Sequence, residues 1–269
     1  MMKLRGDAVW RLIEYSENDA AFNMAVDEAL SLMIETGDSP PTLRFYGWSA
    51  PSVTIGAFQR IGDINADACR RLAIPIVRRP TGGRAILHGD ELTFSFSTGT
   101  QTPPFSVTSL LHNYKAIGEA FFLAFRRLGL NCEITQRRLK RVEVGPMASN
   151  PMCFSAASYS EITIVGRKIL GAAQKRYKYA LLEQGSIPLS VDRTLMSAVF
   201  NAATSETDAA GLREFDDSIT LASVQSAVTG AFEDVFSVRL LPCPLADEEM
   251  SLARKLIEKY LSRQWTYRK

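Results

Sequence analysis

Apolar residues recur with two periods along this chain, and the changes of period divide it into strands and helices. Residues 10–15 alternate as a first strand. Asn18 and Asp19 then offer a helix N-cap, and Phe22, Ala25, Val26, Ala29, Leu30 and Met33 fall at helical spacing over residues 21–34. That spacing places Asn23, Asp27 and Glu28 on or beside the opposite, polar face. Residues 37–41 end the helix, and 42–46 and 52–55 read as strands joined by a turn at 47–51. Residues 56–59 follow at a strand end, and residues 65–72 read as a short helix. Next, the apolar Ile74, Ile76 and Val77 lead into Arg78-Arg79-Pro80-Thr81-Gly82-Gly83-Arg84, and a second apolar run continues to Phe94 and Phe96. This is strand, tight glycine loop, strand, a composition that a bulged hairpin shares. The returning strand, 91–98, puts Leu92, Phe94 and Phe96 on one face.

A second long helix is expected over 108–128, carrying Leu111, Tyr114, Ile117, Phe121, Phe125 and Leu128 and closed by Gly129. Residues 135–150 are basic and irregular, with Arg137, Arg138, Lys140 and Arg141. They read as a surface loop, solvated or in contact with an acidic carrier protein. The strand pattern returns from Cys153, with a strand at 161–165 ahead of the turn Gly166-Arg167. The stretch from Lys168 to Gln174 is too rich in small residues for a plain strand. Residues 180–189 form another strand with Gly185 inside it, and helices follow at 194–200 and 219–236. A polar, flexible connection at 204–214 joins them. An amphipathic helix at 251–261, with Trp265 and Tyr267, closes the chain. The pattern predicts an α/β fold of the α+β type, with mixed or antiparallel sheets flanked by helices and a modest helical C-terminal part.

Composition narrows the class. The 269 residues are 46% hydrophobic and 22% charged, with 31 basic and 29 acidic side chains. So balanced a charge does not point to nucleic acid as the main partner. No apolar stretch reaches membrane-spanning length, and the N-terminal residues lack an apolar signal core, so no membrane partner and a cytoplasmic, reducing setting are expected. The four cysteines, Cys69, Cys132, Cys153 and Cys243, form no C-x-x-C pair, which disfavours disulfides and zinc. Any histidine base must be His88 or His112.

Chemistry concentrates at three places. Gly82 and Gly83 permit positive φ and let backbone N–H groups approach a ligand, while Arg78 and Arg79 can bring charge to an anion. Cys153 lies at a loop-to-strand edge and is a small buried hydrophobe or a nucleophile; Cys69, Cys132 and Cys243 read as small buried hydrophobes. Lys168 follows the Gly166 turn and on spacing alone is a solvated lysine. An ammonium group beside a thiol would stabilise the thiolate and give a nucleophile without a histidine. Asp90 and Glu91 beside His88 are either general acid/base groups or, the favoured reading, structural carboxylates that cap a turn and face water, and His88 stands between packing and lining a site.

These residues resemble the biotin/lipoate ligase superfamily and, within it, the single-domain octanoyltransferases of the LipM type. The resemblance runs through residues 21–30, Arg44-Phe45-Tyr46-Gly47-Trp48, residues 78–88, Glu91-Leu92-Thr93, Cys153-Phe154, Gly166-Arg167-Lys168, residues 171–174, Gln184-Gly185-Ser186 and Trp265-Thr266-Tyr267. It implies a catalytic domain over residues 1–245 with a helix and tail, 246–269, packed on it. It further implies that Cys153 attacks octanoyl-acyl carrier protein and passes the acyl group to a lysine of a lipoyl domain, that of the glycine cleavage H protein, in lipoate biosynthesis. Lys168 would lower the thiol pKa and orient the carbonyl. Arg79, Thr81, Gly82, Gly83, Arg84, His88, Gly171, Ala172 and Ala173 would bind substrate, with no metal and no nucleotide cofactor. The related ATP-dependent lipoate–protein ligases need no cysteine and usually carry three loop glycines followed by His-Asp. Here the loop is Gly82-Gly83-Arg84, and Gly89 follows His88. An amidotransferase between lipoyl domains also uses a cysteine at this place. A non-catalytic carrier-binding protein is the reading from outside enzymology.

Overall fold

The computed structural model describes residues 8–106, 109–135, 161–200 and 209–268. The expected basic loop, Cys153 with the strand beginning there, and the first part of the 204–214 connection lie outside the described residues.

A six-stranded mixed sheet forms the body. Its central βαβ unit is β1 (Ala8–Asn18), α1 (Ala20–Thr36) and β2 (Thr42–Trp48), with β1 and β2 parallel. Asp19 caps α1 by accepting from the Phe22 amide at 2.8 Å, the capping the sequence predicts. Beyond β2, the strands β6 (Glu91–Gly99), β11 (Ala180–Pro188) and β10 (Gly171–Arg176) are successively antiparallel. On the other side of β1 lies β12 (Val238–Pro242), parallel to it. β12 is a strand where the sequence suggested only helices. Its apolar positions are few, because just Val238 and Leu240 face the core.

A second, three-stranded sheet has β3 (Ser52–Ile55) between β4 (Ile76–Arg78) and β5 (Ile86–His88). A third comprises β7 (Glu133–Thr135), β8 (Glu161–Ile164) and β9 (Arg167–Lys168). The helices α3 (Leu110–Arg127) and α5 (Leu221–Phe236) cover one face of the main sheet. They bury an aromatic core that includes Phe94, Phe96, Phe121, Phe125 and Phe232. α1 covers the opposite face, and α6 (Asp247–Leu261) packs on α1. The shorter helices are α2 (Ala66–Arg71), α4 (Arg193–Phe200) and α7 (Arg263–Thr266). A bidentate pair from Arg11 of β1 to Glu249 of α6, at 2.8 and 2.6 Å, ties this last layer to the sheet.

Four expectations are corrected. Because Asn23 and Asp27 turn toward the main sheet, bonding Gly47, Arg44 and Ser95, while Glu28 meets Lys259 and Tyr260 of α6, the three are buried at 0%, 0% and 6% exposure rather than on a wet face. Residues 171–176 do form a strand, since Gly171 and Ala173 pack at the sheet edge where larger side chains are not needed. In the 204–214 connection, Ala209, Ala210 and Leu212 are buried, so its described end is packed. Cys69 and Cys132 are buried and burial pushes both thiols up, whereas Cys243 is exposed.

Candidate active site

The glycine loop is not a hairpin. β4 pairs with one edge of β3 and β5 with the other, so residues 79–85 cross over the end of β3. The crossing is tight. A methyl group at Gly56 would lie 1.9 Å from the Gly83 carbonyl oxygen, and Gly83 itself has φ +84°. The Ala57 amide donates to the Thr81 carbonyl at 2.8 Å, and the Arg79 amide to the Ile55 carbonyl at 3.0 Å.

The two arginines brace this crossing instead of meeting an anion. Arg78, 1% exposed, donates to the carbonyls of Gly56, Gln59 and Thr266 at 2.7–3.1 Å. Arg79, also buried, donates to the Gly82 and Arg84 carbonyls at 2.6 and 2.7 Å. Burial makes such carbonyls costly to leave unpaired, which is why a guanidinium with several donors suits each position.

Thr81 connects the loop to the main sheet. Its hydroxyl donates to Gln184 Oε1 at 2.8 Å, and Gln184 Nε2 donates to Asp27 Oδ2 at 2.7 Å. Asp27 also accepts from Arg44 (2.7 Å), Tyr46 (2.8 Å) and Ser95 (2.6 Å), all buried. The loop is thus fastened by a relay running Thr81, Gln184, Asp27 and Arg44. Every member has a partner, the condition under which a buried polar network is rigid.

His88, 3% exposed, stacks on Trp48 with ring centroids 3.9 Å apart. Its Nδ1 lies 2.7 Å from Glu91 Oε1 and its Nε2 2.8 Å from Thr54 Oγ1. Burial pushes the Glu91 carboxyl up, but His88 and the Thr93 hydroxyl more than reverse this and hold it below the ordinary value. With both ring nitrogens engaged, His88 shapes the site wall. Glu91 is therefore interior, not the water-facing carboxylate the sequence suggests. Asp90 does have the expected structural role, accepting from Ser190 and Arg213 at 2.6 and 2.7 Å.

Lys168 is the largest departure from a surface reading. It is 4% exposed, paired with Thr163 in the third sheet and bridged in parallel to Ala209. The Val165-Gly166 turn lets this happen, since both residues take positive φ, 49° and 72°, and reverse the chain within two residues. Ala209 packs against Ile86 of the strand following the glycine loop. Ala173 of β10 faces the loop as well, 3.5 Å from where a Gly83 methyl would sit. Loop and β10 therefore meet directly, in a region holding Arg79, Thr81, Gly82, Gly83, Arg84, His88 and Ala173, and the backbone of Lys168 joins it at one remove, through Ala209 and Ile86. Cys153 lies outside the described residues.

Two cavities adjoin that region and share Ile86 and His88. One, about 20 Å³, lies between loop and sheet, with Met24, Tyr46, Trp48, Gln184 and Gly185 in its wall. The other, about 320 Å³, lies on the far side, against Val191, Leu195, Met196, Phe200 and Ala209. Motif and spacing suggest no role for Gln184 or Trp48. The polar pair Glu183-Gln184 inside a strand flanked by apolar residues was the available signal for Gln184. Among the described residues no cluster of side chains is arranged to hold a metal.

This fold has known counterparts. The family model for the lipoyl protein ligase A/B catalytic domain matches residues 19–234. A crystal structure of lipoate–protein ligase A bound with ATP superposes with a TM-score of 0.80 at 26% identity, covering 96% of this chain and 98% of that one. At full length the chain is 35% identical to octanoyltransferase LipM of Kyrpidia tusciae, covering 97% of this chain and 99% of the relative. It is 34% identical to octanoyltransferase LipM of an Exiguobacterium species, covering 97% and 98%. The chain belongs to the lipoyl protein ligase A/B family, in its octanoyltransferase branch.

Proposed function

We propose that this protein is an acyltransferase that moves an octanoyl group from octanoyl-acyl carrier protein to a lysine of a lipoyl domain, through a thioester on Cys153, in the cytoplasm. The end-to-end match to octanoyltransferases carries the reading. The interior position of Lys168 supports it, because a buried ammonium near a thiol exerts its field with little screening. In the first half-reaction the Cys153 thiolate attacks the donor thioester carbonyl. The tetrahedral oxyanion collapses, the carrier's thiolate leaves, and that thiolate takes up a proton. In the second, the neutral acceptor amine attacks the acyl-cysteine. The Cys153 thiolate leaves and the new amide nitrogen loses its proton, so no adenylate is required. The Lys168 ammonium balances charge on the thiolate and on each oxyanion. The glycine loop, with Thr81 held by Gln184, forms one wall for the acyl chain. Residues 1–245 act as the catalytic unit, with 246–269 as an outer brace, and the H protein of glycine cleavage is the acceptor this reading names.

Intact-mass spectrometry tests it. Incubated with octanoyl-acyl carrier protein and no ATP, wild type is expected to gain one octanoyl mass as a hydroxylamine-labile adduct, and Cys153→Ser to gain no such adduct. Lipoyl-domain modification that requires ATP and survives Cys153→Ala would establish a ligase instead.

A further inference from the structure

We infer that the turn carrying Phe58, with the cations of β10, α6 and the residues after α7 beside it, is the docking surface for the acceptor: a folded domain that presents its target lysine from an acidic surface. This rests on the transferase reading and names where its second substrate sits. Phe58 is 88% exposed, the one exposed phenylalanine among the described residues. Its turn is nonetheless held fast. The Gln59 amide donates to the Gly56 carbonyl at 3.0 Å, and Arg78 donates to the Gly56 and Gln59 carbonyls at 2.8 and 2.7 Å. Arg268 donates to the Ala57 carbonyl at 3.0 Å. Hydrogen bonds thus fix the residues on either side of a ring left in water. Such a ring loses little further freedom when a partner covers it, and aromatic side chains are enriched where protein interfaces are anchored.

The position fits an acceptor. Gly56 abuts Gly83 of the glycine crossing, so Phe58 stands two residues from the loop. Ala173 of β10 meets the same loop, and Lys175, two residues further on, lies on the same side of that strand. A lysine stem is only four carbons long, so the domain carrying it must come right up against the loop. The charge fits an acidic partner. Lys175 and Lys259 lie 3.8 and 2.5 Å from Glu28, and Lys259 and Arg268 both lie on the Trp265 ring, 3.9 and 3.8 Å from its centroid. Burial holds the Lys175 ammonium below its ordinary value, Glu28 opposes this, and repulsion from Lys259 and Arg268 adds to it, so the three cations share one field. The Glu28 side chain is 8% exposed, whereas Lys175 and Lys259 keep 31% and 27% and Arg268 is exposed. Glu35, the next carboxylate, accepts from the Lys178 and Tyr179 amides. The surplus charge reaching solvent beside Phe58 is therefore positive.

Kinetics and calorimetry on the full chain with the apo H protein of glycine cleavage test the assignment. Octanoyl transfer from the preformed acyl-enzyme is followed against H protein concentration. Phe58→Ala is expected to raise the half-saturating concentration about tenfold while leaving the limiting rate, and acylation by octanoyl-acyl carrier protein, unchanged. Phe58→Trp should restore saturation. Lys175→Gln should weaken saturation about threefold and flatten its dependence on salt between about 0.05 and 0.5 M. Equal half-saturation in wild type and Phe58→Ala would overturn the assignment, as would H protein that wild type neither binds nor acylates. So would a Phe58→Ala defect confined to the acylation step, which would give this surface to the donor. Calorimetric binding of H protein needs no acyl chemistry and separates the two readings. Binding that depends on Phe58 and salt, without an acyl adduct on Cys153, would sink the transferase reading alone. An adduct together with binding indifferent to Phe58 would sink the docking surface alone.

Discussion

Glu183 and Gln184 are neighbours on one strand, yet they enter opposite faces of the six-stranded sheet and meet opposite chemistry. Gln184 joins the α1 face, where Asp27, Arg44, Tyr46, Ser95 and Thr81 are all buried and all hydrogen-bonded. Glu183 enters the α3 and α5 face, paired across the sheet with Phe96 and meeting only the Gln174 amide among the hydrogen bonds described. Burial there pushes its carboxyl up to about 8. Polarity on the first face is balanced by charge and fixes the glycine loop. Polarity on the second is tolerated by keeping a proton. One sheet thus separates positioning from packing.

The strongest way to break the first face is Asp27→Ala. It leaves Arg44 buried beside no carboxylate and is expected to destabilise the fold by about 3–5 kcal/mol, measured as a lowered urea midpoint. The two faces touch at Gly185, which lines the small cavity while a methyl group there would lie 2.3 Å from the Phe94 ring. Gly185→Ala should overpack this point, with a loss of about 1–3 kcal/mol and a lower melting temperature.

Glu183 offers a pH test of the second face. Folded, it holds its proton up to about pH 8; unfolded, it releases it near the ordinary glutamate value of about 4.3. Between those values the native state binds more protons, so this group's contribution makes stability fall as pH rises, by at most about 1.4 kcal/mol per pH unit. Comparing unfolding free energies of wild type and Glu183→Gln from pH 5 to 8 should show wild type losing ground to the variant. Parallel curves would mean that Glu183 is ionised in the fold.

Much of this was legible in the sequence. The periodicity of α1 and α3, the Asp19 cap and the β6 run are local signals, and local physics sets them. The glycine crossing was located but not shaped, because β4 and β5 pair with β3 rather than with each other, a tertiary choice that composition does not encode. The buried state of Asp27 and Glu28 escaped for a similar reason, since a polar stripe on α1 looks solvated until the sheet's own polar residues meet Asp27 and α6 meets Glu28. Lys168 looked like a turn lysine, and only its pairing with Thr163 and Ala209 takes it inside. Spacing alone favoured the solvated reading, while the family resemblance had given this lysine a role.

The claim that the polar face positions the glycine loop is tested most directly by the single-turnover acylation rate of Gln184→Met with octanoyl-acyl carrier protein. This near-isosteric change removes the link between Thr81 and Asp27 while preserving volume. The rate is expected to fall about tenfold, the equivalent of about 1.4 kcal/mol in the barrier, with a stability loss of similar size. A rate equal to wild type in a variant of that stability would contradict it.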